Sequence, residues 1–149
     1  MFLYISSSDS SEYFPGNKSA IFKVSLPKTI HFEEGPNLMA LVDIKFPKFT
    51  TDQSPCELTI NTSLCRESHT SQKTENTLQR IYSDVLEKEQ QNAGSKNFIF
   101  QFNPVRYIPV NVRSADIIDL YIKRSDGEKL SLMPGTTECT LHFSRSHGL

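Results

Sequence analysis

The chain carries four histidines and three cysteines in 149 residues, and their spacing decides which chemistry is open to it. His31, His69, His142 and His147 are dispersed and show none of the short His/Cys spacings that pre-arrange a zinc tetrahedron. Cys65 and His69 stand at a spacing that suits a helix, but the intervening Arg66-Glu67-Ser68 reads as loop, which leaves a solvated histidine and a half-buried thiol. Cys139 and His142 resemble a nucleophile and its base. Within a strand they fall on opposite faces, so Cys139 is expected in the core. There is no G-x-S-x-G elbow, and the serines sit in turn-like clusters. The carboxylate pairs Glu33-Glu34, Asp116/Asp119 and Asp126/Glu128 belong to turns or solvated faces, where no apolar wall drives two pKa values apart. Gly35, Gly94, Gly127 and Gly135 are isolated turn glycines rather than a phosphate-binding loop. The expectation is a protein without a catalytic site, cofactor or metal.

Aromatic residues offer a second kind of chemistry, that of contact. Phe98, Phe100 and Phe102 share one face of an extended run, as base-stacking platforms do. Such platforms interleave basic residues, whereas here the alternate positions are Ile99 and Gln101, which favours a core role. Tyr13-Phe14 beside Pro15, and Tyr107 between Pro104 and Pro109, fall in loops and are the candidate interface anchors; the alternative for each is a small loop core. The formal charge is −1, with Lys and Arg scattered among Asp and Glu, so no basic field exists to hold nucleic acid or an anionic membrane. Apolar runs fall far short of the roughly 20 residues a membrane helix needs. Met1–Ile5 is apolar but is stopped at once by Ser6-Ser7-Ser8-Asp9, which reads as a first strand and a turn rather than a secretory signal. An odd cysteine count without a CxxC pair fits a protein made in a reducing cytosol or nucleus and not secreted. The glycosylation-type sequences Asn17-Lys18-Ser19 and Asn61-Thr62-Ser63 carry little weight there.

The elements that would position these residues are mostly strands. Ala20, Phe22, Val24 and Leu26 alternate with Lys23 and Ser25, a half-buried strand that Pro27 is expected to stop. Ile30–Phe32 reads as a short edge strand. Leu38–Phe46 is the most apolar segment, covered on both faces in its first half, and Leu58–Leu64 is a weaker, more polar strand. Glu67–Lys73 is polar and loop-like. Leu78, Ile81, Tyr82, Val85 and Leu86 then recur at helical spacing, which predicts an amphipathic helix inserted near 74–93, with Thr74 or Thr77 as cap and Gly94 at its end. Strands resume at Phe98–Phe102, Val105–Ile108, Val110–Val112 and Ile117–Lys123. A hairpin is predicted at Ser125-Asp126-Gly127-Glu128. Leu130 and Leu132 follow, then Cys139–Phe143 as the last strand, with Cys139, Leu141 and Phe143 inward. Many short strands at turn-punctuated intervals predict an all-β chain, a β-sandwich or single jelly-roll-like barrel with one inserted helix, forming one domain over residues 1–149.

Two stretches at opposite ends resemble a known group. Phe2-Leu3-Tyr4-Ile5-Ser6-Ser7, Tyr13-Phe14-Pro15-Gly16-Asn17-Lys18, Phe22-Lys23-Val24-Ser25-Leu26-Pro27 and Ala40–Ile44 resemble the opening of proteins encoded by Polinton/Maverick elements and adintoviruses. Asp126-Gly127, Pro134-Gly135 and Thr140-Leu141-His142-Phe143 are similar to the ending of the same group. The resemblance implies a minor capsid, penton-like jelly roll of a double-stranded DNA virus. It would be made in the host cytoplasm or nucleus and incorporated in the virion. Its partners would be other capsid proteins and copies of itself, with a pentamer favoured over a trimer and heterologous contacts closing the ring. The alternative is a host-directed binding module without catalytic activity, such as a receptor-binding head or a β-sandwich adaptor. It would be a trimer or monomer with one exposed aromatic patch around Tyr13 and Tyr107.

Overall fold

Alternating apolar residues, enriched in β-branched and aromatic types, fit an extended backbone with one face buried. The computed structural model describes residues 1–65, 68–69 and 74–145. Its elements in chain order are β1 (Phe2–Ser6), β2 (Ile21–His31), β3 (Asn37–Pro47), β4 (Leu58–Asn61), β5 (Ser68–His69), β6 (Thr74–Glu75), β7 (Thr77–Ile81), α1 (Ser83–Gln90), β8 (Asn97–Gln101), β9 (Ile108–Pro109), β10 (Ser114–Arg124) and β11 (Glu138–Arg145).

One sheet runs β1-β11-β3-β8, with β9 also on β3; a second runs β2-β10-β4-β7; β5 and β6 form a small ribbon. Leaving aside the two-residue strands, the pairings nest. First meets last (β1·β11), second meets last but one (β2·β10), third meets β8, and β4 meets β7, all antiparallel. A long hairpin folded over on itself gives this order, and it is the jelly roll. The all-β sandwich expected from the alternation is the architecture observed.

The inward faces of both sheets meet in one core of Phe22, Val24, Met39, Leu41, Ile44, Phe46, Leu58, Ile60, Leu78, Ile118, Leu120, Ile122 and Leu141, among others. Phe98 is fully buried, with its ring 5.1 Å from Phe46, 5.2 Å from Phe49 and 5.8 Å from Phe100. The three-phenylalanine face therefore belongs to the core, as its apolar neighbours predict.

Several local expectations are corrected. The helix predicted near 74–93 is confined to Ser83–Gln90, and Leu86 is its only buried residue. Leu78 and Ile81 lie instead in β7. The β4·β7 register shifts between Ile60 and Asn61, and this bulge brings residues three apart onto one face of a strand, imitating the helical period. Thr74 belongs to β6 and Thr77 to β7, so neither caps the helix; Tyr82 stands at the cap position without a side-chain bond. Pro27 does not stop β2, which absorbs the Ile30–His31 segment as well. β2 is an edge strand, and opposite Ala115–Ile117 its register jumps from Ile30 to Ser25, so the proline sits in a bulge where no ladder donor is required. The loop expected over Glu67–Lys73 contains strand β5 at Ser68–His69; the remainder of it lies outside the described residues.

Asp126-Gly127 does turn the chain, with Gly127 at φ +83°, but it makes no hairpin. β10 lies in one sheet and β11 in the other, so the turn carries the chain across the sandwich. Leu132 bridges Phe49 on the way, and Leu130 and Leu132 pack against the core without forming a strand. Of Val105–Val112, only Ile108–Pro109 is strand.

Truncating Phe98 removes a ring held by three others. Phe98→Ala is expected to destabilise the fold by about 3–5 kcal/mol in urea unfolding, against less than about 1 kcal/mol for Ile99→Thr on the exposed face of the same strand.

Candidate interaction surface

Cys139, Cys65, Asp119, Asp126 and Glu33, singled out in the sequence, are each placed by the structure. Cys139 is buried and His142 lies on the outward face of β11, so the two do not meet. Burial pushes both the Cys139 and Cys65 thiols up, Cys65 to about 11, which keeps them protonated and poorly nucleophilic. Cys65 Sγ lies 3.2 Å from the Asn76 carbonyl and 3.4 Å from that of Thr62. Asp119 is taken up by the turn after β4. It accepts from the Ser63 amide at 3.2 Å, from the Ser63 hydroxyl, and from Thr62 Oγ1 at 3.4 Å. Asp126 is clasped by Arg124, whose Nη1 also donates to the Ser54 carbonyl at 2.7 Å, and this pairing holds the Asp126 carboxyl well below the usual range. Glu33 pairs with Arg145. Among the described residues no three His, Cys, Asp or Glu side chains gather at metal-binding distance. His31 lies at the end of β2; the His69 side chain and His147 lie outside what the structure describes.

The outward faces carry the features that remain. On the β1-β11-β3-β8 sheet, register places Phe2 beside His142, Tyr4 beside Thr140, and Asp43 beside Gln101. The rings of Phe2 and His142 lie 4.5 Å apart, and Tyr107 packs edge-on against His142, its hydroxyl 2.8 Å from Nδ1. Tyr4 is 73% exposed and Phe2 58%. Beside them an open depression of about 380 Å³ is lined by Tyr4, Asp9, Asp43, Lys45, Glu138 and Thr140. On the opposite sheet Ile21 faces Tyr121 in register and both are exposed, as is Ile117.

Of the three predicted anchors, Tyr107 belongs to the first of these faces. Tyr13 and Phe14 belong to the second, in the loop between β1 and β2, where a groove of about 360 Å³ runs over Ile21–Lys23. Tyr13 is 76% exposed and Phe14 half-buried. The structure therefore brings Tyr13 and Phe14 together and leaves Tyr107 on the other sheet. Sequence reasoning missed Phe2, Tyr4 and His142. The signal was present, because in an all-apolar first strand the residues alternating with the buried Ile5 must face outward.

The fold is shared with a viral penton protein. A crystal structure of the mavirus penton protein superposes with a TM-score of 0.63 over 97% of this chain and 99% of that one, at 8% sequence identity. No protein-family model matches the chain, and no curated protein matches its sequence. The stretches carrying the sequence resemblance fall on β1, the β1–β2 loop, β2, β3, the Asp126-Gly127 and Pro134-Gly135 turns and β11.

Burial, and secondarily the nearby N-terminal ammonium, hold His142 below its ordinary 6.5. At neutral pH the ring is uncharged and shares a hydrogen bond between Nδ1 and the Tyr107 hydroxyl. The unfolded chain then binds the proton more readily than the folded one, so stability falls as pH drops through about 6.5. His142→Gln is expected to flatten the wild-type loss of Tm between about pH 7 and pH 5; identical slopes in the two proteins contradict it.

Proposed function

We propose that this chain is a non-enzymatic capsid subunit of penton type, from a DNA virus of the Polinton/Maverick and adintovirus kind. It acts as one domain over residues 1–149, with five copies closing a ring through head-to-tail contacts. The observation that carries the reading is the end-to-end likeness to a penton protein, 97% of one chain on 99% of the other with a TM-score of 0.63. Exposed apolar residues on both outward faces support it: Phe2 and Tyr4 on one sheet, Ile21, Ile117 and Tyr121 on the other. A heterologous ring uses two different surfaces of each subunit, and both must tolerate burial. Its partners are further copies of itself and other capsid proteins, its place is the virion, and a net charge of −1 leaves direct nucleic-acid binding without an electrostatic basis. Among the described residues no helix is long and apolar enough to cross a membrane.

The Tyr13–Phe14 groove favours a second reading, a host-directed binding module that presents these two aromatics to a partner surface. Light scattering over a range of concentrations separates the two. The capsid reading predicts a species of about five times 16.9 kDa and the presence of the chain in purified particles. A trimer or persistent monomer, absent from particles, refutes it.

A further inference from the structure

Edge strands expose backbone N–H and C=O groups that pair with any extended segment offered to them, and natural sheets cover them. Here parts of three edge strands are covered by the chain itself. Along β2, Asn17 donates Nδ2 to the Lys23 carbonyl at 2.8 Å and accepts the Lys23 amide at 2.9 Å. The Ser25 amide goes to Ser10 Oγ at 2.9 Å, and Lys18 bridges Ile21. At the end of β1 the outward amide of Ser6 goes to Asp9 at 2.9 Å, and its carbonyl accepts from the Asp9 amide. At the start of β8, Ser95 Oγ accepts the Asn97 amide and donates to its carbonyl, each at 3.1 Å.

In the β1-β11-β3-β8 sheet two short lengths are left bare, one at each edge. Met1 exchanges bonds with Phe143, and Ser7 donates to Thr137, so the odd-numbered residues of β1 face β11 and the groups of Phe2 and Tyr4 face outward. Phe102 donates to Val42, and Lys48 donates to Lys96. The even-numbered residues of β8 therefore face β3, and the groups of Ile99 and Gln101 face outward. Among the described residues these four have no partner for their outward N–H and C=O.

We propose that β1 of one copy pairs antiparallel with β8 of the next, Phe2 opposite Gln101 and Tyr4 opposite Ile99, so that the sheet runs on from subunit to subunit. The inference names the contact of the capsid ring and rests on that reading. Three features fit a second copy. β1 and β8 are separated by three antiparallel steps, so a neighbour rotated about an axis along the strands presents its β8 with the required polarity. The side chains match by face: exposed Tyr4 and Phe2 meet exposed Ile99 (60%) and Gln101, while the half-buried Leu3 and Phe100 meet on the core side and cover each other. The self-capped ends also coincide, Ser6 opposite Asn97, with acidic Asp9 beside one and basic Lys96 beside the other.

Proline tests the contact without touching the fold. At Tyr4 or Ile99 it removes only the amide that faces outward, which edge strands tolerate. Tyr4→Pro and Ile99→Pro are expected to keep the wild-type circular dichroism spectrum while shifting the assembly midpoint in light scattering upward by about tenfold or more. Tyr4→Thr, which keeps the amide, shifts it less. A Tyr4→Cys, Ile99→Cys double variant is expected to give disulfide-linked multimers on non-reducing gels, since such a pair brings Cα atoms about 5.5 Å apart. Proline variants that form pentamers as readily as wild type, with no cross-link in the double variant, overturn the edge contact and leave the capsid reading standing. A wild type that stays monomeric, with no cross-link, overturns both.

Discussion

Two sheets that pack face to face, about 10 Å apart, leave no room for a polar layer between them. Every long strand must therefore deliver its apolar side chains to one side along its whole length. Where the alternation slips, the backbone corrects it. β3 buries Met39 and Leu41 and then Ile44 and Phe46, because the register against β11 shifts between Thr140 and Leu141. β7 does the same for Leu78 and Ile81. The nested pairing survives because these bulges keep the inner faces continuous. Loops, helix and surface are arranged around that core.

That constraint also explains how much of the fold the sequence displays. Strands whose alternation runs unbroken, such as Ala20–Leu26 and Cys139–Phe143, are legible as they stand. Strands repaired by a bulge are not: a spacing of three between Leu78 and Ile81 is what a helix offers, and only the partner strand β4 decides otherwise. Pro27 misleads for a related reason, since its cost depends on whether its strand lies inside a sheet or at an edge, which is a property of topology. The Asp126-Gly127 turn is local chemistry and is legible, but the destination of the chain after it is not. Surface residues are harder still. Tyr13 and Tyr107 stand out beside prolines, whereas Phe2 and Tyr4 are hidden in a run in which every residue is apolar.

Polar groups in this molecule serve mainly to tie loops to strands. Asp119 holds the turn at Thr62-Ser63, Arg124 draws together Asp126 and the Ser54 carbonyl, and Asn17 stands in as a strand partner for Lys23. The depressions on the surface stay open, and the one beside Tyr4 is rimmed by Asp9, Asp43, Lys45 and Glu138. Exposed aromatic and apolar side chains on both sheets fit the assembly proposed above, in which binding energy comes from burial and backbone pairing.

The central claim is that the sandwich functions by packing copies of itself around an axis. A cryo-electron microscopy reconstruction of the purified assembly tests this most directly. The account predicts five jelly rolls in a closed ring, with subunits meeting through different surfaces of each copy and the Phe2–Tyr4 side of the sheet buried. Isolated subunits, or a ring that leaves both outward faces and both bare edges open to solvent, would contradict it.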